Sequence, residues 1–323
     1  ELGNTSSMQE MLHRTTLTRP HGGFMSPAEY VLAEIASQPD CWQRAAELAP
    51  EFADILPQPG ERVAAIGCGT SWFMAAAYAV MRESAGLGET DAFAASEFPA
   101  GRDYDRLLII TRSGTTTEVL RLLEDYQGKI PTVSIIADPN TPAVELSDDV
   151  IVLEFADEQS VVQTRFATTT LSLLRAHLGQ DISASIEDAR RTIDEPLDPA
   201  VVASKQFTFL GTDWTVGLAT EGALKMREAA LAWTESYPIL EYRHGPKSIT
   251  DSNSTIWFLS PPEDGLDDEI RGFGAQVVIP NADPLAELIK IQRLGVQIAL
   301  NNGLNPDQPR NLTRSVILSD DES

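Results

Sequence analysis

At 323 residues, with 42% hydrophobic and 22% charged side chains, the chain has an ordinary globular composition and exceeds what one hydrophobic core usually holds, so two domains are expected. Its 24 basic against 48 acidic side chains leave a net charge of −24, which argues against nucleic acid or an anionic membrane as partner while leaving room for a small phosphate ester held by local N–H dipoles. Cys41, Cys68 and four scattered histidines show neither a disulfide framework nor ligand spacing, and no stretch approaches the ~20 apolar residues of a membrane span; no metal, no cofactor and a cytoplasmic protein without a leader are expected.

Glu1 to Ser7 reads as an expression remnant ahead of Met8, and the polar stretch through residue 25, with Pro20 and Gly22-Gly23, as an arm. Ser26-Pro27 predicts a helix start, Ser as N-cap and Pro in the first turn, running through Tyr30 and Ile35 toward Trp42. A short helix from Leu48 to Leu56 is stopped by Pro57-Gln58-Pro59-Gly60. Arg62 to Gly67 then reads as a strand, Cys68 to Ser71 as a tight turn and Trp72 to Glu83 as an apolar helix.

The next strand, 106–110, ends in Thr111-Arg112-Ser113-Gly114-Thr115-Thr116-Thr117-Glu118 and opens into an apolar-periodic helix to 126. Hydroxyl residues around one glycine, between a buried strand and a helix, form a ready anion site, and phosphate is the natural ligand; the same chemistry also serves simply to cap a helix. Strands follow at Thr132 to Ala137 and Val150 to Phe155, and Glu158 to Phe166 leads into a helix reaching His177. This alternation predicts a doubly wound parallel α/β sheet with Ser71, Ser113 and Gln163 at its ligand-binding carboxyl edge.

A helix and linker are expected across 179–199, dividing the chain into a first domain at 26–185, a linker at 186–200 and a second domain at 201–323. The second half repeats the first: Gly211 lies 144 positions after Gly67 at the end of a like strand, and Ser260 lies 149 after Thr111. After Ser260 stand Pro261 and Pro262, which carry no N–H, so the second copy cannot rebuild the donor nest and phosphate is expected in the first copy alone. In the second half, Glu221, Lys225 and Glu228 are spaced i, i+4, i+7 and share one helix face.

A set of motifs in this order carries a resemblance: Glu34-Ile35 with Gln38-Pro39, Gly67 to Ser71, Ala94 to Phe98, the Ser113-Gly114 turn with Thr116, Glu221 to Glu228, Arg243-His244-Gly245-Pro246, and Asp307 to Val316. The chain resembles the tandem sugar isomerase (SIS) family, in particular the isomerase half of glucosamine-6-phosphate synthases and the ketosamine-phosphate deaminase/isomerases. The resemblance implies two doubly wound SIS-type subdomains with flanking helices. It places Ser71, Thr111, Ser113 and Thr116 at phosphosugar-binding positions, with Arg112 where the synthases have Gln and Gln163 where they have Ser. It also implies proton transfer by Glu228, ring opening by His244 lent by a neighbouring subunit, hence a homodimer, and Lys225 and Glu221 on the same catalytic helix.

Two departures accompany it. Arg314 stands where the synthases have a lysine, and a guanidinium cannot form an imine with an open-chain ketose, so Arg314 is expected only to contact substrate. The segment between Ser260 and Asp307 is short, with one short strand at Gln276 to Ile279 before a helix around Leu285 to Leu300, so either a trimmed second sheet or reduced loops are expected. No glutaminase domain is visible, and glutamine-dependent amination is not expected of this chain by itself. The expected activity is aldose-ketose isomerisation, with deamination, of a 6-phosphorylated amino sugar; a fructosamine-6-phosphate deglycase and a non-catalytic phosphosugar sensor are the rivals.

Overall fold

The computed structural model describes residues 26–318; the expected remnant and arm lie outside the described residues. Helices α1 (Glu29–Ala36) and α2 (Gln38–Leu48) lead into a first parallel sheet of β1 (Val63–Gly67), β2 (Thr90–Ala94), β3 (Arg106–Ile110), β4 (Thr132–Ile136) and β5 (Asp149–Val152), in the order β2-β1-β3-β4-β5. Between and after these strands run α3 (Thr70–Ser84), α4 (Thr117–Tyr126), α5 (Pro142–Leu146) and α6 (Arg165–His177). Helices α7 (Ser183–Thr192) and α8 (Pro199–Ala203) lead to the second sheet, β6 (Gln206–Gly211), β7 (Trp233–Pro238), β8 (Ser254–Phe258) and β9 (Gln276–Val278), in the order β7-β6-β8-β9. Its helices are α9 (Thr215–Ala230), α10 (Leu266–Gly272) and α11 (Pro284–Asn301).

All strand pairs are parallel, and β6 and β8 occupy the places of β1 and β3, as the internal repeat implied. Among the described residues the second sheet has no counterpart of β5, so of the two outcomes expected from the short segment after Ser260 it is the sheet that is trimmed. The inner strands β1, β4 and β8 are buried along their whole length, the reason for their unbroken apolar runs. By contrast β2 and β7 are edge strands with mixed faces, Thr-Asp-Ala-Phe-Ala and Trp-Thr-Glu-Ser-Tyr-Pro, and carried no signal strong enough to be anticipated.

The first helix differs from expectation. It begins at Glu29, after Ala28 in a left-handed conformation (φ 69°), and it breaks at Ser37 instead of running on to Trp42. Pro39 has no N–H to give to the Ile35 carbonyl, so one helix cannot continue through it, and the Gln38 side chain donates to that carbonyl instead at 3.3 Å.

One apolar core runs between the two sheets, from Val63, Leu108 and Phe166 to Phe209, Leu218 and Leu288. At its centre the helices that follow the equivalent strands, α3 and α9, cross closely. Gly217 makes the crossing possible, since a Cβ there would stand 2.6 Å from the Phe73 carbonyl oxygen. This approach brings the helix of Glu221, Lys225 and Glu228 against the first sheet's carboxyl edge.

Candidate functional site

Two glycine turns shape the site. Gly67 closes β1 with no room for a side chain, because a Cβ would lie 2.5 Å from the Ser71 carbonyl carbon, and Gly69 turns the chain with φ 55°. At the end of β3, Gly114 has φ 59°, and a Cβ would run into Thr141 Oγ1, so only glycine lets the hydroxyl turn lie against the connection after β4. The two turns face a cavity of ≈ 210 Å³ lined by Ser71, Thr111, Arg112, Ser113, Thr116, Gln163, Glu228 and Arg314, all eight read from the sequence as site residues.

Behind the cavity lies the acid-base row of α9. Lys225 Nζ sits 2.5 Å from Glu228 Oε2 and 3.5 Å from Glu221 Oε1; the side chains of Lys225 and Glu221 are each 1% exposed, that of Glu228 19%. Glu221 Oε1 also accepts from Thr70 Oγ1 at 3.2 Å, while its Oε2 is buried without a hydrogen-bond partner. Burial, with Glu228 adding to it, pushes the Glu221 carboxyl up to about 8 against the opposing pull of Lys225. For Lys225, burial acts downward, but Glu221 and Glu228 together outweigh it and hold the ammonium above its ordinary value. The row thus sets one buried ammonium between two carboxylates, of which Glu221, the more deeply buried, is pushed toward its neutral form.

Arg112 is buried and bound to protein on three sides. Nη1 donates to Glu158 Oε2 and to the Ser160 carbonyl, each at 3.3 Å, and Nη2 donates to the Arg314 carbonyl at 3.0 Å. Glu158, fully buried, also accepts from Thr164 N and Oγ1 and from Arg165 N, fixing the start of α6. Glu34 accepts from Gln159 N, Ser160 N and Ser160 Oγ and holds the same loop from the other side; burial raises its pKa. Glu158 was not singled out by the sequence reading. It caps α6 from seven residues ahead of Arg165, outside the N-cap spacing that a sequence betrays.

The chain end completes the wall. Arg314 pairs with Asp157 at 2.5 Å, and Ser315 Oγ accepts from Ser113 Oγ at 3.2 Å and Thr115 Oγ1 at 3.0 Å. His244 stands apart, exposed after a 3₁₀ turn at Leu240–Arg243 and outside the cavity lining. The second copy's turn is filled by its own groups: Thr215 Oγ1 and Ser260 Oγ lie 2.6 Å apart, Thr212 N donates to Thr215 Oγ1 at 2.8 Å, and Thr212 Oγ1 donates to Glu263 Oε1 at 3.2 Å.

A larger cavity of ≈ 690 Å³ opens at the opposite, amino-terminal ends of β6 and β7, between Leu197, Trp233 and Arg293, but its lining holds no carboxylate or imidazole. Among the described residues no group of three or more His, Cys, Asp or Glu could hold a metal ion, and no helix is long and apolar enough to cross a membrane.

The fold is shared with solved structures. Glucosamine-6-phosphate deaminase from Thermotoga maritima superimposes with a TM-score of 0.75 at 24% identity, covering 89% of this chain and 99% of that one. The C-terminal domain of glucosamine-fructose-6-phosphate aminotransferase from Francisella tularensis gives 0.70 at 20%, covering 90% and 100%. This is the tandem sugar isomerase (SIS) fold. By sequence, the chain is 26% identical over 336 residues to the isomerizing glutamine–fructose-6-phosphate aminotransferase of Methanothermobacter thermautotrophicus, covering 89% of this chain and 57% of that protein. It thus spans little more than half the length of such curated relatives, and the part shared is their isomerase half. No protein-family model matches the chain.

Proposed function

We propose that this chain is a phosphosugar isomerase that interconverts aldose and ketose forms of a 6-phosphorylated amino sugar and deaminates it. The observation that carries the reading is that Glu228 lines the same cavity as the hydroxyl turn of Ser113 and Thr116. The turn holds the phosphate, and the carboxylate lines the same cavity as the sugar it would carry. Lys225 occupies Glu228 Oε2 at 2.5 Å, leaving Oε1 to take a proton from one of the two adjacent sugar carbons and return it to the other. The filled second turn, with Glu263 beside it, would repel phosphate, so one substrate binds per chain, in the first copy.

His244 protonates the ring oxygen in this scheme. Since it lies outside the chain's own cavity, a neighbouring subunit supplies it and the working unit is a homodimer. Arg314, held by Asp157 beside the cavity, contacts the sugar without forming an imine.

The test is solvent-deuterium exchange. The wild-type protein should wash deuterium into C1 or C2 of a hexosamine 6-phosphate and release ammonia. Glu228→Gln should retain binding and lower turnover by about 10²–10⁴, the usual worth of a positioned acid-base group. Amino-acid release from a fructosamine 6-phosphate would instead identify a deglycase using the same proton transfer. Binding of sugar phosphates with neither exchange nor amine release would leave only a sensor.

A further inference from the structure

The cavity of ≈ 690 Å³ at the amino-terminal ends of β6 and β7 has the size of a small-molecule pocket and takes no part in the function proposed above. One wall is a stripe of α11. There Arg293, Gln297 and Asn301 follow at four-residue spacing and share a face, with Gln297 Nε2 donating to Asn301 Oδ1 at 2.9 Å. Another wall is Trp233, the first residue of β7, whose ring is 75% exposed. Trp233 is the register partner of Gln206, so Lys205 lies beside it at the start of β6. Val202, Phe207 and Ile298 add apolar lining.

Charge sets this cavity apart. In a chain of net charge −24 its lining holds two cations, Lys205 and Arg293, and no carboxylate. Arg293 is half-buried, and its Nη1 donates to the carbonyls of Thr192 and Glu195 at 2.6 and 2.7 Å, which closes the end of α7 and accounts for one nitrogen. Among the described residues Nε and Nη2 have no hydrogen-bond partner, and no carboxylate stands within ion-pair distance of the guanidinium. Burial pushes the Arg293 pKa down, against the weaker pull of Asp194 and Glu195, so the cation is short of compensating charge. Lys205 Nζ likewise has no partner among the described residues.

We propose that this cavity is a second ligand site, for a small anion that carries a flat ring, with the acid group on Arg293 and Lys205 and the ring against Trp233. The Nε–Nη2 edge of a guanidinium is a two-pronged donor that matches a carboxylate, sulfonate or phosphate side-on, and it is the edge that Arg293 leaves free. The Trp233 indole gives the ring an aromatic face, and the amides of Gln297 and Asn301 add neutral polar contacts. The acidic chain around it repels a polyanion far more than a single small one, so the site selects by size as well as by charge. Ala230 lines this cavity and Glu228 the other, so a ligand here rests on the last turn of the helix that carries Glu228.

The test is titration of the full chain with anilinonaphthalene sulfonate, a flat ring system bearing one sulfonate, followed by the fluorescence of the probe and the quenching of tryptophan. The wild-type chain should bind a single equivalent, and phenylnaphthylamine, the same rings without the sulfonate, should bind about tenfold more weakly or worse, the worth of a hydrogen bond to a charged group. Lys205→Gln, a change at an exposed side chain, should weaken the sulfonate about two- to fivefold, and Arg293→Gln about tenfold or more. Trp233→Leu should remove much of the tryptophan quenching, and a hexosamine 6-phosphate should displace none of the probe. Equal binding of the uncharged compound would make the cavity a plain apolar groove and overturn the proposal. Unchanged affinity in both cation variants, displacement by the sugar phosphate, or no binding at all would overturn it too. None of these readouts requires turnover, so a failure of the isomerase reading and a failure of this site are told apart.

Discussion

Glu221→Gln is the perturbation that reports most directly on the electrostatics of α9. In the folded protein one ammonium faces two carboxylates, closer to Glu228 (2.5 Å) than to Glu221 (3.5 Å), and Glu221 Oε2 is buried without a partner. Burial raises the Glu221 pKa from 4.5 to about 8, against the pull of Lys225. Because the folded state holds a proton that the unfolded chain has released, the resulting stability is fully present below the unfolded value and is lost as pH rises through the folded one. Between pH 7 and 9 the folded group gives up most of this proton, a loss on the order of 1 kcal/mol. Lys225, held above its ordinary value by the two carboxylates, stays charged over this range and adds no slope. Glutamine has the size of the neutral carboxyl and no proton to lose. Urea unfolding followed by tryptophan fluorescence at pH 7, 8 and 9 should show wild type losing stability and Glu221→Gln gaining on it by that amount. Parallel curves for the two proteins would mean that Glu221 is ionised throughout, and the shared-ammonium picture would be wrong.

Gly217→Ala places a methyl 2.6 Å from the Phe73 carbonyl oxygen and must push α9 off α3; overpacking of this kind costs about 1–3 kcal/mol, read as a lowered Tm in calorimetry. Glu158→Ala strands the buried Arg112 guanidinium and should destabilise by about 3–5 kcal/mol, and adding Arg112→Gln should recover part of that loss in the same denaturation assay. Ser113→Ala with Thr116→Ala should weaken a sugar 6-phosphate by a few kcal/mol, at about 1.5–3 for each hydrogen bond to a charged group, and unchanged calorimetric affinity would remove the turn from the site.

Several parts of this protein were legible in the sequence because local physics fixes them. Buried parallel strands need unbroken apolar runs, so β1, β3, β4, β6 and β8 announced themselves, and strand-to-helix turns that demand glycine marked Gly67 and Gly114. Helical spacing alone put Glu221, Lys225 and Glu228 on one face, and the repeat with its two prolines foretold a second turn unlike the first. Edge strands β2 and β7 escaped because one side of each faces no core. What only the tertiary structure decided is which groups share a charge and which hydroxyls meet. That Arg112 is tied to Glu158 and to the Arg314 carbonyl, that burial pushes the Glu221 carboxyl upward, and that Ser315 sits among hydroxyls some 200 positions earlier in the chain all depend on distances across the fold. Desolvation and pairing are set by what is brought near in space, and no spacing along a chain encodes that for residues so far apart.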